Sequence, residues 1–429
     1  MRLLRRPRLA LLFAGGALNA IGSWATLIAL WGFAAYHFHA GPDQVALLGL
    51  AWTVPGAALS LFSGLPIDRF GPRPTIVAAN LLGVATALAM AAATSYSTLL
   101  LLAVAAGAVQ AFGRPAATSL PPRLVDDADL LAANSVMGVA EQSAIVFGPL
   151  AGSLAISWWG IQAAFMFDAA TFVVGTLAVL PLRLRPIARP AEQPVGCRDL
   201  LAGLRLAART TDVRRTLLLA TAVFSSWGAF MVIEPLYVRN VLHRSPATLG
   251  LLQTVFGLGL IGTTALLPRI GDRVATVRAL AASVVVSGLA AALYVGTRSV
   301  MVAMLGVFLW GVDVAFFMPP MQTILQRATP PAAHGRVMAL AGAVNGVGGL
   351  IAIPLAGAAA GAIGVSATGI VAGLLASLAG AWGLAVTSRR RPAVHVVAEG
   401  GHVVAEAGQV VAEAGPVVLE AGHLVPEAV

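Results

Sequence analysis

The chain is a succession of a dozen long apolar runs, divided by short polar breaks, that together take up nearly all of residues 9 to 388. A helix needs about 20 mostly apolar residues to cross a bilayer, and every run reaches that length. Only 10% of the 429 residues are charged, against about 25% in an ordinary soluble domain, so a water-facing surface cannot be built. The expected fold is therefore an all-α membrane protein of twelve transmembrane helices. The spans are predicted at 9–36, 44–65, 74–93, 97–118, 131–157, 160–182, 214–238, 246–267, 276–296, 299–322, 336–359 and 364–387. The first run, Leu9 to Tyr36, exceeds the 7 to 15 residues of a signal-peptide core and reads as the first span.

In a soluble protein the formal charge of +9 would raise the question of nucleic acid. Here the basic residues, all 27 of them Arg, punctuate loops. Basic residues are retained on the cytoplasmic side of a membrane. With the N-terminus inside, 24 arginines fall inside and only Arg239, Arg244 and Arg298 fall outside, which predicts both termini cytoplasmic. The lone cysteine, Cys197, and the absence of Cys/His clusters give no disulfide, metal or cofactor site. No GxxxxGK[ST] stretch cradles ATP phosphates, and no HExxH or GxSxG pattern supports catalysis, so neither an ATPase nor an enzyme is expected.

The chain repeats itself. Asp68-Arg69 after span two matches Asp272-Arg273 after span eight, 204 residues on. Arg114-Pro115-Ala116 at the end of span four sits opposite Met318-Pro319-Pro320 at the same offset, and Pro149-Leu150-Ala151-Gly152 recurs as Pro354-Leu355-Ala356-Gly357 at 205. Two six-helix halves, 1–182 and 214–388, are expected about an axis along the membrane normal. The loop between them, 183–213, is either a short amphipathic helix lying on the inner membrane face with Arg toward headgroups or a solvated linker. The tail, 389–429, carries five seven-residue units with Glu399, Glu406, Glu413, Glu420 and Glu427 in register. Gly in each complete unit and adjacent apolar residues argue against a coiled coil, leaving a low-complexity cytoplasmic extension.

The stretch Gly64-Leu65-Pro66-Ile67-Asp68-Arg69-Phe70-Gly71-Pro72-Arg73 resembles the loop signature G-x-L-x-D-R-x-G-R-R of the major facilitator superfamily. Gly64, Asp68, Arg69, Gly71 and Arg73 match, and Pro72 departs. The resemblance runs through all twelve spans and the central loop, and implies a gating loop in which Asp68 faces the start of span eleven near Gly335 and Arg336, with Asp272 and Arg273 as its echo. Arg69 and Arg73 also satisfy the topology rule alone. Gly148, Pro149 and Gly152 in span five resemble the family's antiporter motif, with Ala144 and Ser153 in place of its outer glycines; close helix packing explains the same cluster. Ala132-Ala133-Asn134-Ser135 and Gln326-Arg327-Ala328-Thr329-Pro330 are similar to bacterial twelve-span exporters of macrolides and siderophores.

Ionisable groups within spans are costly and usually functional. The resemblance implies a cavity lined by spans one, four, seven and ten, with five and eleven beside them and three, six, nine and twelve outside. Asp313, Glu141 and Glu234 are accordingly better proton-coupling candidates than Asp168, whose alternative is a structural hydrogen bond. Glu141 and Asp313 are expected about 15 Å deep at 1.5 Å per residue. Candidate substrate contacts are Asn19, Trp24, Trp31, Gln110, Arg114, Trp227, Gln253 and Asn345, although Arg114 also suits interface snorkelling. The function expected is export of a small amphipathic compound (drug, siderophore or antibiotic) by proton antiport, from a monomer in a bacterial inner or plasma membrane. An importer or lysolipid translocator of the same fold, and a non-transporting sensor, are the alternatives.

Overall fold

In runs with so few polar side chains the backbone must satisfy its own hydrogen bonds, and the chain is helical accordingly. The computed structural model describes residues 7–60, 62–182, 184, 197–330, 333–388, 396–399 and 402–405. In the first half α1 (Pro7–Gly32) continues through a π-helical turn, Phe33–His37, and is followed by α2 (Pro42–Ser60), α3 (Gly64–Phe70), α4 (Pro72–Ala91), α5 (Tyr96–Thr118), α6 (Pro121–Leu124), α7 (Asp127–Trp159) and α8 (Ile161–Val179). After α9 (Cys197–Arg209) the second half runs α10 (Thr211–Asn240), α11 (Pro246–Ile270), a 3-10 turn at Gly271–Val274, α12 (Val277–Val295), α13 (Val300–Arg327), α14 (His334–Ile363) and α15 (Val365–Ser388). Among the described residues eleven helices are long and apolar enough to cross a membrane, or twelve if α2 and α3, bent by 52°, form one span.

Equivalence at an offset of 204 goes beyond the sequence landmarks. His39 and His243 take positive φ values of 50° and 51°, and Gly160 and Gly364, in the turns into α8 and α15, take 86° and 88°. The α1 and α10 ends close alike, with Ala40 N donating to Ala34 O at 2.9 Å and Arg244 N to Val238 O at 3.0 Å. Close approach is repeated too. A Cβ on Gly107 would meet the carbonyl of Trp52, and one on Gly311 the carbonyl of Phe256, so the same small residue brings α5 onto α2 and α13 onto α11, as lipid-embedded helices without a hydrophobic driving force require.

Two seams join the halves, α7 against α11 and α2 against α14. At one end of the bundle a single apolar core, including Phe33 and Phe165 of the first half and Tyr237 and Ile353 of the second, runs across both. At the opposite end the cores are separate: Leu12, Ile67, Ile76 and Leu120 in the first half, Val213, Leu217, Val337 and Ala341 in the second. The bundle is thus closed at the end bearing His39 and His243 and parted at the other.

Of the two readings of the central loop, one is a short amphipathic helix, and the chain is helical there, as α9 (Cys197–Arg209). α9 packs against α14 and α10; Ala207 is buried in the second half's core, and a Cβ on Gly203 would stand 2.9 Å from the carbonyl of Arg336. An amphipathic face suits a protein surface as well as a bilayer, and here α14 supplies that surface. Residues 388–429 form a separate unit, within which β1 (Val396–Glu399) and β2 (His402–Ala405) pair antiparallel, Val396 opposite Ala405 and Glu399 opposite His402. The low-complexity reading did not foresee this hairpin, which the Val-Val pairs favour. The later repeat units lie outside the described residues.

Candidate functional site

A cavity of about 900 Å³ lies within the first half, between α1, α7 and α8 on one side and α2, α4 and α5 on the other. It reaches the parted end, where Leu12, Ser60, Ile76 and Leu120 line it. The two walls are held together by α4 on α8. At the mouth Arg114 of α5 and Glu141 of α7 form a salt bridge of 3.4 Å across the gap, their side chains 73% and 46% exposed. Glu141, on α7 (Asp127–Trp159), lines the cavity at its mouth.

Asn19, Trp24, Gln110, Arg114 and Glu141 all line this space. Other expectations fall elsewhere. Trp31 is buried in the core at the closed end, and a Cβ on Gly49 would stand 3.2 Å from its ring. Trp227 packs with Phe224 and Phe317. Gln253 donates to Glu234, so that pair joins α11 to α10, and Asn345 is exposed on α14 without lining the cavity. Asp313 is buried and turned toward Ser283 and Ser287 of α12, a correction to its expected cavity position. Asp168, the least favoured of the four carboxylates, lines a small chamber that shares Ser23, Trp52, Gln110 and Phe172 with the cavity.

The sequence reading missed Asn80 of α4, Gln142 of α7 and the α8 wall, Phe172 and Gly175. α4 and α8 are spans three and six, expected to lie outside. The signal was present in Asn80, a carboxamide in the middle of an apolar run, but α4 is apolar all round and gives no periodicity to say which way it faces.

Gly148 and Gly152 press against α1, where added Cβ atoms would meet Trp24 and Ala25, and on the opposite side the carbonyl of Pro149 lies 2.7 Å from where a Cβ on Gly250 of α11 would sit. The antiporter-like cluster is therefore a three-helix packing node at a seam between the halves. The gating-loop residues Gly64, Asp68 and Arg69 lie in α3, which packs on α4 and α5, and Gly71 turns the chain into α4, which carries Arg73. Arg73 donates to the carbonyl of Leu182 at 3.3 Å. Gly203 of α9 stands beside the first turn of α14. In the echo, Asp272 pairs with Arg327 at the end of α13 at 2.8 Å. Among the described residues no group of three or more His, Cys, Asp or Glu side chains could hold a metal.

Comparison with known proteins agrees with this architecture. The chain is 24% identical over 389 residues to the uncharacterized MFS-type transporter YfiS of Bacillus subtilis, covering 86% of this chain and 90% of that one. It is 26% identical over 383 residues to the multidrug efflux pump Tap of Mycolicibacterium fortuitum, covering 85% and 91%. The crystal structure of the nucleoside transporter NupG superposes with a TM-score of 0.73 at 10% identity, covering 89% of this chain and all of that one. The sequence model of the Major Facilitator Superfamily matches residues 12–222 and 216–419. A duplicated twelve-helix bundle, a cavity opening at one end and a family match over both halves lead to one conclusion: this multi-pass membrane protein belongs to the Major Facilitator Superfamily and is a transporter of small molecules, not an enzyme.

Proposed function

We propose that the chain is a secondary active exporter that moves a small amphipathic organic compound outward in exchange for protons. The observation that carries this reading is the cavity, parted at the arginine-rich end of the bundle and closed at the other. Because basic loops are retained in the cytoplasm, the parted end is cytoplasmic, both termini lie inside, and the cavity is poised to load cargo from within the cell or its inner leaflet. Trp24, Trp52 and Phe172 give apolar area, Asn19, Asn80 and Gln110 give hydrogen bonds, and Arg114 with Glu141 gives a charge pair that cargo can divide. Such a mixture suits an amphipathic compound.

Transport proceeds by rocking residues 1–182 against 214–388, and the gating loop Gly64 to Arg73 latches the parted end when it closes. Protons enter through one of the buried or cavity-facing carboxylates, Asp168, Glu141, Glu234 or Asp313. The likeness to the multidrug efflux pump Tap supports export, and the protein acts as a monomer in a bacterial plasma membrane. The test is proton movement in proteoliposomes on adding lipophilic cations, macrolides and siderophores. Proton release from the vesicle lumen coupled to uptake of any of them supports antiport; uptake that runs with the proton gradient would mean import.

A further inference from the structure

The cavity ends, toward the closed end of the bundle, in a chamber of about 20 Å³, room for about one water molecule. Asp168 of α8, 2% exposed, lines it. The hydroxyl of Thr171 lies 3.2 Å from Asp168 Oδ1 and 2.8 Å from the Asp168 carbonyl oxygen, and its single hydrogen serves one of them at a time. The hydroxyl of Thr26 on α1, 4% exposed, faces the same carboxyl, lines the chamber and has no direct hydrogen-bond partner. Glycine at position 22 makes this approach possible: a Cβ there would meet Thr171 Oγ1 and stand 2.5 Å from Asp168 Oδ1.

Helix packing does not require this polar set. At the equivalent positions 204 residues on, Asp168, Thr26, Thr171 and Gly22 are replaced by Ala372, Phe230, Leu375 and Ser226; the carboxylate of that region in the second half is Asp313, the counterpart of the chamber-lining Val109. The same asymmetry holds for Glu234, whose counterpart is Leu30. Access separates the three. Asp313 faces α12 and Glu234 is held by Gln253, and neither lines the cavity or the chamber.

We propose that Asp168 is the residue on which the coupled proton rides, delivered and removed through one water in the chamber; this deepens, and rests on, the antiport reading. When the cavity faces outward, a chamber water passes a proton to an Asp168 carboxylate oxygen, whose lone pair forms the new O–H bond, and the water recovers a proton from the bulk. The neutral acid then allows the halves to close without enclosing a charge, which at membrane depth is costly. Facing inward, the O–H bond breaks toward the water and the carboxylate is restored. The elements around the chamber present Ser23 and Thr26 from α1, Trp52 from α2, Thr86 from α4 and Gln110 from α5, none of which ionises. The charges of the adjoining cavity are Arg114 and Glu141 at its mouth.

The test needs no known cargo. Infrared difference spectra of the full chain in lipid, taken between mildly acidic and mildly alkaline pH, read the carbonyl band of a protonated carboxylic acid. The band is expected in the wild type, lost in Asp168→Asn, kept in Asp313→Asn and Glu234→Gln, and moved in midpoint by Thr26→Val, which preserves side-chain size. A band that survives Asp168→Asn, or no titrating band in the wild type, overturns the assignment. Transport separates this from the parent reading. Full proton-driven export by Asp168→Asn overturns the site and leaves antiport standing, whereas a band assigned to Asp168 with no cargo-dependent proton movement keeps the site and overturns antiport.

Discussion

The guanidinium of Arg239 donates a hydrogen bond to the main-chain carbonyl of Ala35, the residue 204 positions earlier and therefore its own counterpart in the duplicated half. Two equivalent positions can touch only where the pseudo-twofold axis passes between them, so this contact marks the axis at the closed end. The π-helical turn at Phe33–His37 brings Tyr36 to the same place, where its hydroxyl donates to the carbonyl of Arg244 at 2.5 Å. One further bond, from Ser153 Oγ to the carbonyl of Ala247 at 2.6 Å, ties α7 to the start of α11.

Removing the axis contact is expected to loosen the closed end. Hydrogen bonds to charged groups contribute about 1.5 to 3 kcal/mol, so Arg239→Ala should shift the balance between closed and open at this end by roughly ten-fold or more. Tyr36→Phe, which removes a neutral donor, should act less. With Cys197 replaced by Ser, a cysteine introduced at Ala46, buried in the α2 seam with α14, reports the change as faster reaction with a water-soluble maleimide. Unchanged labelling in Arg239→Ala would show that the apolar core holds the end closed without the axis contact.

The spans were legible because their apolar length needs no knowledge of the fold, and the duplication because Asp68 and Asp272, or Pro149 and Pro354, are rare marks on a plain background. The turns at His39 and His243 were not, since nothing in a histidine announces a left-handed backbone. Which way Asp168 and Asp313 point was equally hidden. α8 and α13 are apolar on every side, so there is no polar stripe to orient them, and each carboxylate's surroundings are decided by partners as small as Gly22 or Ser287. The docking of α9 was half legible: its amphipathic face could be read, but not that α14 covers it.

Gly107→Ala and Gly311→Ala are expected to damage the protein alike, because each new Cβ meets a backbone carbonyl, of Trp52 and of Phe256, that cannot move without its helix. Overpacking of this kind costs about 1 to 3 kcal/mol, readable as lower thermal stability of the purified protein. Gly262→Ala, with nothing within 4 Å of the added atom, should be neutral or slightly stabilising, as alanine is the better helix former. Similar melting for all three would mean that the close approaches relax freely.

Glu141→Gln and Arg114→Ala should leave stability nearly unchanged, since an exposed pair of this kind contributes about 0 to 1 kcal/mol. Their effect belongs to cargo. If cargo divides the pair, Glu141→Gln should raise the KM for a lipophilic cation by roughly five-fold and Arg114→Ala should raise it for an organic anion by a similar factor. Equal effects on both kinds of probe from either variant would show that the pair acts on cavity shape and not on charge.

Truncation after Pro392 is expected to leave transport intact. Residues 388–429 form a unit of their own, and the described bundle is complete with α15. The cavity is lined within the first half, by residues between 12 and 179. The measurement is drug-dependent proton movement by the shortened chain at matched membrane abundance. Loss of transport at normal abundance would give the repeat a role in the transport cycle, whereas loss of abundance alone would confine its role to assembly or turnover.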